Sequence, residues 1–269
     1  MSKKNKYSKD NPLIITLDIV GFSRGAAAAR DFANQLIERK NRNYYNKDLF
    51  GYGADDARYN CVGIKVRFMG LFDTVLSTAV GNFNLGISSS QIEYVAQAVA
   101  VNEHRAKFPL VSIEDSYGGA GFNPNRVEMG FIGAHSDIGG GYAGTGGDGG
   151  DLSDVALNWM WAQAKMAGVN MKELRAAQQT VSIPILHDET KVAPWTVAGF
   201  GGSGSDRDMV FPDRTVKMKD ARIDGMTYTR SQQDALIKYH YLLAGNDVGT
   251  VDMVKYKDWL KKNLNLTLP

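Results

Sequence analysis

Three apolar runs constrain the fold more than any other feature, because each stops at a residue that can do chemistry. Leu13 to Val20 leads into Gly21-Phe22-Ser23-Arg24-Gly25. Val62 to Phe72 stops at Asp73, and Val127 to Ala134 stops at His135. Short runs of this kind read as buried strands. Helical spacing follows the first: Ala26, Ala29, Ala33, Leu36 and Ile37 predict a helix from Ala26 to about Glu38. Ser90 with Glu93 resembles a capping box, opening a helix through Tyr94, Val95, Ala98 and Val101. Ser153 is expected to cap a helix bearing Val155, Leu157, Trp159, Met160 and Trp161, closed near Gly168. Strands alternating with helices predict an α/β fold with a mostly parallel sheet covered on both faces.

The second half carries weaker signals. Val181 to Leu186 and Arg214 to Met218 are expected strands. Ser231 to Ala244 is an expected helix stopped by Gly245, and Asp252 to Asn263 is another. Asn41 to Asn60, Gly139 to Gly150 and Phe200 to Asp208 read as loops. The 269 residues show no internal repeat and no dividing linker, so one domain over 1–269 is expected.

Composition excludes several function classes. A net charge of +2 gives no reason to expect a nucleic acid partner. Two basic stretches, Lys3, Lys4, Lys6 and Lys9, then Lys255, Lys257, Lys261 and Lys262, read as solvated termini. Weak attraction to an anionic membrane is the other reading of them. The single cysteine, Cys61, cannot form an intrachain disulfide and reads as a small buried hydrophobe. No signal peptide is visible, and no run reaches the ~18 apolar residues of a membrane span.

Ser23, Asp73 and His135 follow the chain order of α/β-hydrolases. A serine hydroxyl hardly ionises at neutral pH, so Ser23 as a nucleophile needs a base within hydrogen-bond reach. His135 would take its proton, and Asp73 would fix the imidazole tautomer. Gly21 and Gly25 are expected where a strand-to-helix turn leaves no room for side chains. The Arg24 backbone N–H would face the developing oxyanion. Each residue also has a bland reading: a serine in a βα turn, an aspartate capping a segment, a histidine held in a loop. His187, in Ile185-Leu186-His187-Asp188, ends an expected strand and is the rival base. Asp137 could orient a turn or a water. His104, after Glu103, and His240, between Tyr239 and Tyr241, are expected on helices in surface and packing roles. Asp148, Asp151 and Asp154 cluster near glycines, but their spacing fits no EF-hand loop. No metal and no cofactor is expected.

Together the stretches GFSRGAAAARDFAN, FMGLFDTV, AVAVNEHRAKFP, GAHSDIGGGY and LSDVALNWM resemble the α/β-hydrolase domain of type VI secretion phospholipase effectors, first lipase-effector family. They occur in that family's order from residue 13 to about 190. The resemblance implies phospholipase A activity on membrane glycerophospholipids of a rival bacterium. It implies Ser23 as nucleophile, Asp73 as acid and His135 as base. It also implies delivery by the secretion apparatus through a spike component to the target periplasm, and a cognate immunity protein. One departure stands out: only Leu13 to Val20 precedes the elbow, where such hydrolases usually place several strands. The sequence is therefore expected to lack the usual N-terminal strands and the loop that supplies a second oxyanion N–H. An incomplete or degenerate hydrolase, acting as a binding partner of an immunity protein or another effector part, is the alternative reading.

Overall fold

The structure, a computed structural model, describes residues 13–41, 62–76, 83–87, 92–114, 125–142, 150–193, 207–212, 216–217, 230–240 and 245–268. The N-terminal lysines, Cys61, Ser90, Asp148 and most of the three expected loops lie outside them.

Four parallel strands form the central sheet in the order β1 (Leu13–Phe22), β2 (Val62–Phe72), β3 (Ile92–Ala100) and β5 (Arg126–Phe131). Helix α1 (Arg24–Asn41) follows β1 directly. Two smaller three-stranded sheets follow. One has the order β4 (Leu110–Val111), β7 (Met209–Val210), β8 (Val216–Lys217). The other has the order β6 (Ile185–His187), β10 (Asp247–Val251), β9 (Ile237–Tyr239). The remaining helices are α2 (His135–Gly139), α3 (Ser153–Met166), α4 (Ala176–Gln179), α5 (Arg230–Leu236) and α6 (Met253–Leu264).

Side chains of β2 alternate between two cores, as a strand's period of two requires. Met69 and Leu71 pack with Ala26, Ala29, Ala33 and Ile37 of α1. The small alanines let α1 lie close to the sheet. Phe68 faces the other way, into a cluster with Phe131, Trp159 and Met160 of α3, and Tyr256 and Leu260 of α6. Tyr256 is fully buried, and its hydroxyl accepts the Ile132 N–H at 3.2 Å, so its polar end is satisfied.

Register aligns the functional ends. Phe22 is opposite Phe72, Phe72 opposite Ala98, and Ala100 opposite Phe131. The residues that follow β1, β2 and β5 therefore emerge at one carboxyl edge of the sheet, the usual ligand side of such sheets.

Several expectations need correction. The helix expected through Tyr94, Val95, Ala98 and Val101 is strand β3. Its Val95, Ala96, Ala98 and Val99 are all fully buried, because a central parallel strand is covered on both faces. Such a run carries no period that separates strand from helix. The helix expected from Ser231 stops at Leu236, and Ile237 to Tyr239 pairs with β10 instead. β1 was expected to be buried, but it is the outermost strand of the described sheet. Leu13, Ile14, Ile15 and Val20 are exposed there. Ser153 does not cap α3: Asp151 accepts its backbone N–H at 2.8 Å and its hydroxyl at 2.6 Å.

Candidate active site

Ser23 occupies the single residue between β1 and α1, at φ 59°. That left-handed conformation is costly for a residue with a side chain, and it persists only where neighbours enforce it. They do: Ser23 N–H donates to Phe72 O at 2.9 Å, and Ser23 O accepts from Ala26, Ala27 and Val75. Gly21 is required here, since a Cβ would lie 2.6 Å from Gly25 O and 2.7 Å from Ala26 Cα. Gly25 is not required for space: a Cβ there meets nothing within 4 Å. The expected clash at Gly25 is absent because that position opens to solvent. Arg24 and Gly25 begin α1, so their N–H groups have no partner within the helix and are free to face an anion.

Asp73 follows β2, also with positive φ, at 43°. Its N–H donates to Ala98 O at 2.7 Å, and its Oδ1 accepts the Ala100 N–H at 2.9 Å. His135 begins α2, four residues beyond the end of β5. Its Nδ1 lies 2.6 Å from Asp73 Oδ2 and its Nε2 lies 2.8 Å from Ser23 Oγ. Phe22 and Phe108 hold the ring, with centroids 4.5 Å and 5.1 Å away. The three residues proposed from sequence thus form one hydrogen-bonded chain.

Asp73 is fully buried, and burial alone would raise its pKa. The Arg207 guanidinium and the His135 hydrogen bond outweigh burial and hold the carboxyl well below its usual range. Arg207 Nη1 donates to Oδ2 at 2.8 Å, and Nη2 donates to Oδ1. Nothing in the sequence pointed to Arg207, which lies 134 residues from Asp73 at the end of the expected glycine and serine loop. Glu103, beside the expected surface histidine, is also buried. Its Oε2 accepts the His135 N–H at 3.3 Å, and its carboxylate pairs with Arg105, which lies over the Phe108 ring.

His187 is elsewhere engaged. Its Nδ1 lies 2.6 Å from Asp137 Oδ1 and its Nε2 3.3 Å from Asp247 Oδ1. Burial would lower its pKa, but these acidic partners raise it. Asp137 does orient a turn: its Oδ2 accepts the Ala134 and His187 N–H groups. His104 lies in the irregular segment after β3, and His240 follows β9, with Nε2 3.2 Å from Thr250 Oγ1. Neither is on a helix. Among the described residues no acidic, histidine or cysteine group has the arrangement of a metal site. Asp154 instead accepts the Gly150 N–H.

The family described as "T6SS, Phospholipase effector Tle1-like, catalytic domain" matches residues 34–163, a stretch that contains Asp73 and His135 but not Ser23. No curated protein matches the chain. A crystal structure of an uncharacterized protein from Pseudomonas aeruginosa is similar at 31% identity and TM-score 0.45, over 63% of this chain and 27% of that one. A structure of the Tle1 effector bound to the VgrG spike from the type 6 secretion system is similar at 37% identity and TM-score 0.35, over 48% of this chain and 25% of that one. The chain spans about a quarter of the length of the solved chains it matches. Through residues 34–163 this chain carries the pattern of the Tle1-like catalytic domain of type VI secretion phospholipase effectors, the family its motifs resemble.

Proposed function

We propose that this chain carries the catalytic centre of a serine esterase that cleaves acyl esters of membrane glycerophospholipids, as phospholipases A do. The observation that supports it most is the unbroken chain Ser23 Oγ, His135 Nε2, His135 Nδ1, Asp73 Oδ2, with Ser23 on a strained turn. Ser23 Oγ attacks the ester carbonyl carbon while its proton passes to His135 Nε2. The oxyanion that forms faces the Arg24 and Gly25 N–H groups. The alcohol leaves with the proton from Nε2, and the acyl group stays on Ser23. Water, deprotonated by the same nitrogen, then attacks the acyl carbon; the bond to Ser23 Oγ breaks, Nε2 returns the proton to Oγ, and the fatty acid leaves. Asp73 stays ionised throughout and stabilises the imidazolium. The family match supports phospholipid as the substrate class and delivery by a type VI apparatus. Association with a spike component and with a cognate immunity protein is part of the same proposal, as the motif resemblance implies.

Fatty acid release from phospholipid vesicles tests the reading. Release should depend on Ser23, and equal release by the chain and its Ser23→Ala variant would sink it. A second reading, a binding partner without activity, is favoured by the exposed apolar edge of β1, since such edges recruit other chains. A fluorophosphonate probe separates the two: it labels Ser23 only if the serine is activated.

A further inference from the structure

We propose that Arg207 is a positioning residue for the proposed triad: its guanidinium keeps the Asp73 carboxylate ionised and aligned, and so keeps the His135 proton on Nδ1. The inference rests on the catalytic reading above and extends it to a residue that touches neither nucleophile nor substrate.

Asp73 is 0% exposed and has four contacts on its two oxygens. Oδ1 accepts from Ala100 N–H and Arg207 Nη2, and Oδ2 accepts from His135 Nδ1 and Arg207 Nη1. Arg207 is itself buried, and its Nη2 also donates to Ala100 O at 2.8 Å. A two-pronged contact of this kind fixes the plane of the carboxylate, which a lysine could not do. The other charged groups facing the pair are Glu103 and Arg105, which pair with each other at 2.6 Å.

Without Arg207 the buried carboxyl would hold its proton to higher pH. A protonated Asp73 donates to Nδ1 and leaves the imidazole proton on Nε2. That nitrogen then donates toward Ser23 Oγ and cannot accept the serine proton. Loss of the Arg207 charge removes the neighbour that favours the ionised Asp73 carboxyl, so the proton-bound carboxyl gains population. The active form, with Asp73 ionised and His135 neutral, appears only at higher pH.

The test is the pH profile of Ser23 labelling by a fluorophosphonate, or of kcat/KM on a soluble p-nitrophenyl ester, from about pH 5 to about pH 9. Arg207→Gln and Arg207→Met should move the acid limb up by about one pH unit or more. Arg207→Lys, which keeps the charge, should lose rate without moving the limb. Folded, active neutral variants with an unmoved limb would overturn the proposal. If neither neutral variant folds, 15N NMR of His135 in the unaltered chain decides it. The proton on Nδ1 near neutral pH supports the proposal, and the proton on Nε2 overturns it. An unaltered chain that never labels at Ser23 sinks the catalytic reading instead, and the tautomer measurement still tests Arg207.

Discussion

Phe22 lies against His135, with ring centroids 4.5 Å apart, and the same ring covers Gly139 so closely that a Cβ there would meet it at 2.1 Å. The residue between the elbow glycine and the serine therefore sets the plane of the imidazole. A catalytic group misplaced by about 1 Å can lose about 10²-fold in rate. Phe22→Ala should lower ester turnover by about 10- to 100-fold while the chain stays folded. Gly139→Ala pushes the same ring and should cost activity in the same range. Because both act through one contact, the double variant should lose less than the product of the two. Steady-state kinetics on all three variants checks this, and an unchanged rate in Phe22→Ala would refute it.

Gly21 and Gly25 look equivalent in the motif, yet they differ in space. A Cβ at Gly21 runs into the α1 backbone, which cannot move without moving the elbow. Gly21→Ala should destabilise by about 1–3 kcal/mol or more and abolish labelling of Ser23. Gly25→Ala meets nothing and adds a better helix former, worth at most about 1 kcal/mol. Its Tm should hold or rise slightly, with labelling retained. Thermal denaturation of the two variants separates these outcomes.

Ser23, Asp73 and His135 were legible because each ends a locally apolar run or its turn, and parallel register then brings three such ends to one edge. The contribution of Arg207 was not legible. Its partner is distant along the chain, and an arginine after a glycine-rich stretch has no local signature. The sequence of β3 does not separate strand from helix, because a run buried on both faces shows no period. The exposure of β1 was missed because sheet order, not composition, decides which strand lies at an edge.

Asp73→Asn tests the acid of the triad directly. Asparagine tolerates the positive φ at this site, so the backbone should hold. Its amide can donate to Nδ1, which reverses the tautomer and should lower kcat by about 10³–10⁴-fold. Arg207 would then be buried without its counter-charge, at a cost of about 3–5 kcal/mol. The sign of the pH dependence follows from the lowered Asp73 pKa. Its contribution is present above the unfolded carboxyl value of about 4 and is lost as pH falls through the folded value. The stability gap between the chain and Asp73→Asn should therefore be constant at neutral pH and shrink only below about pH 4. Denaturant melts across that range would show it, and a gap that shrinks between neutral pH and pH 5 would contradict it.

His187 should behave in the opposite way, both in pH dependence and in function. It is buried between Asp137 on α2 and Asp247 on β10, and these acidic partners raise its pKa. A raised histidine stabilises the fold fully below its unfolded value of about 6.5, and the contribution is lost as pH rises through the folded value. His187→Gln should therefore lower Tm most at about pH 6, and the difference should narrow toward alkaline pH. Neither His187 nitrogen reaches Ser23, since Asp137 and Asp247 engage both. Fluorophosphonate labelling of Ser23 should accordingly survive His187→Gln and disappear in His135→Gln. Labelling that disappears in His187→Gln, at a pH where that variant is shown to be folded, would make His187 the base and displace His135 from the proposed triad.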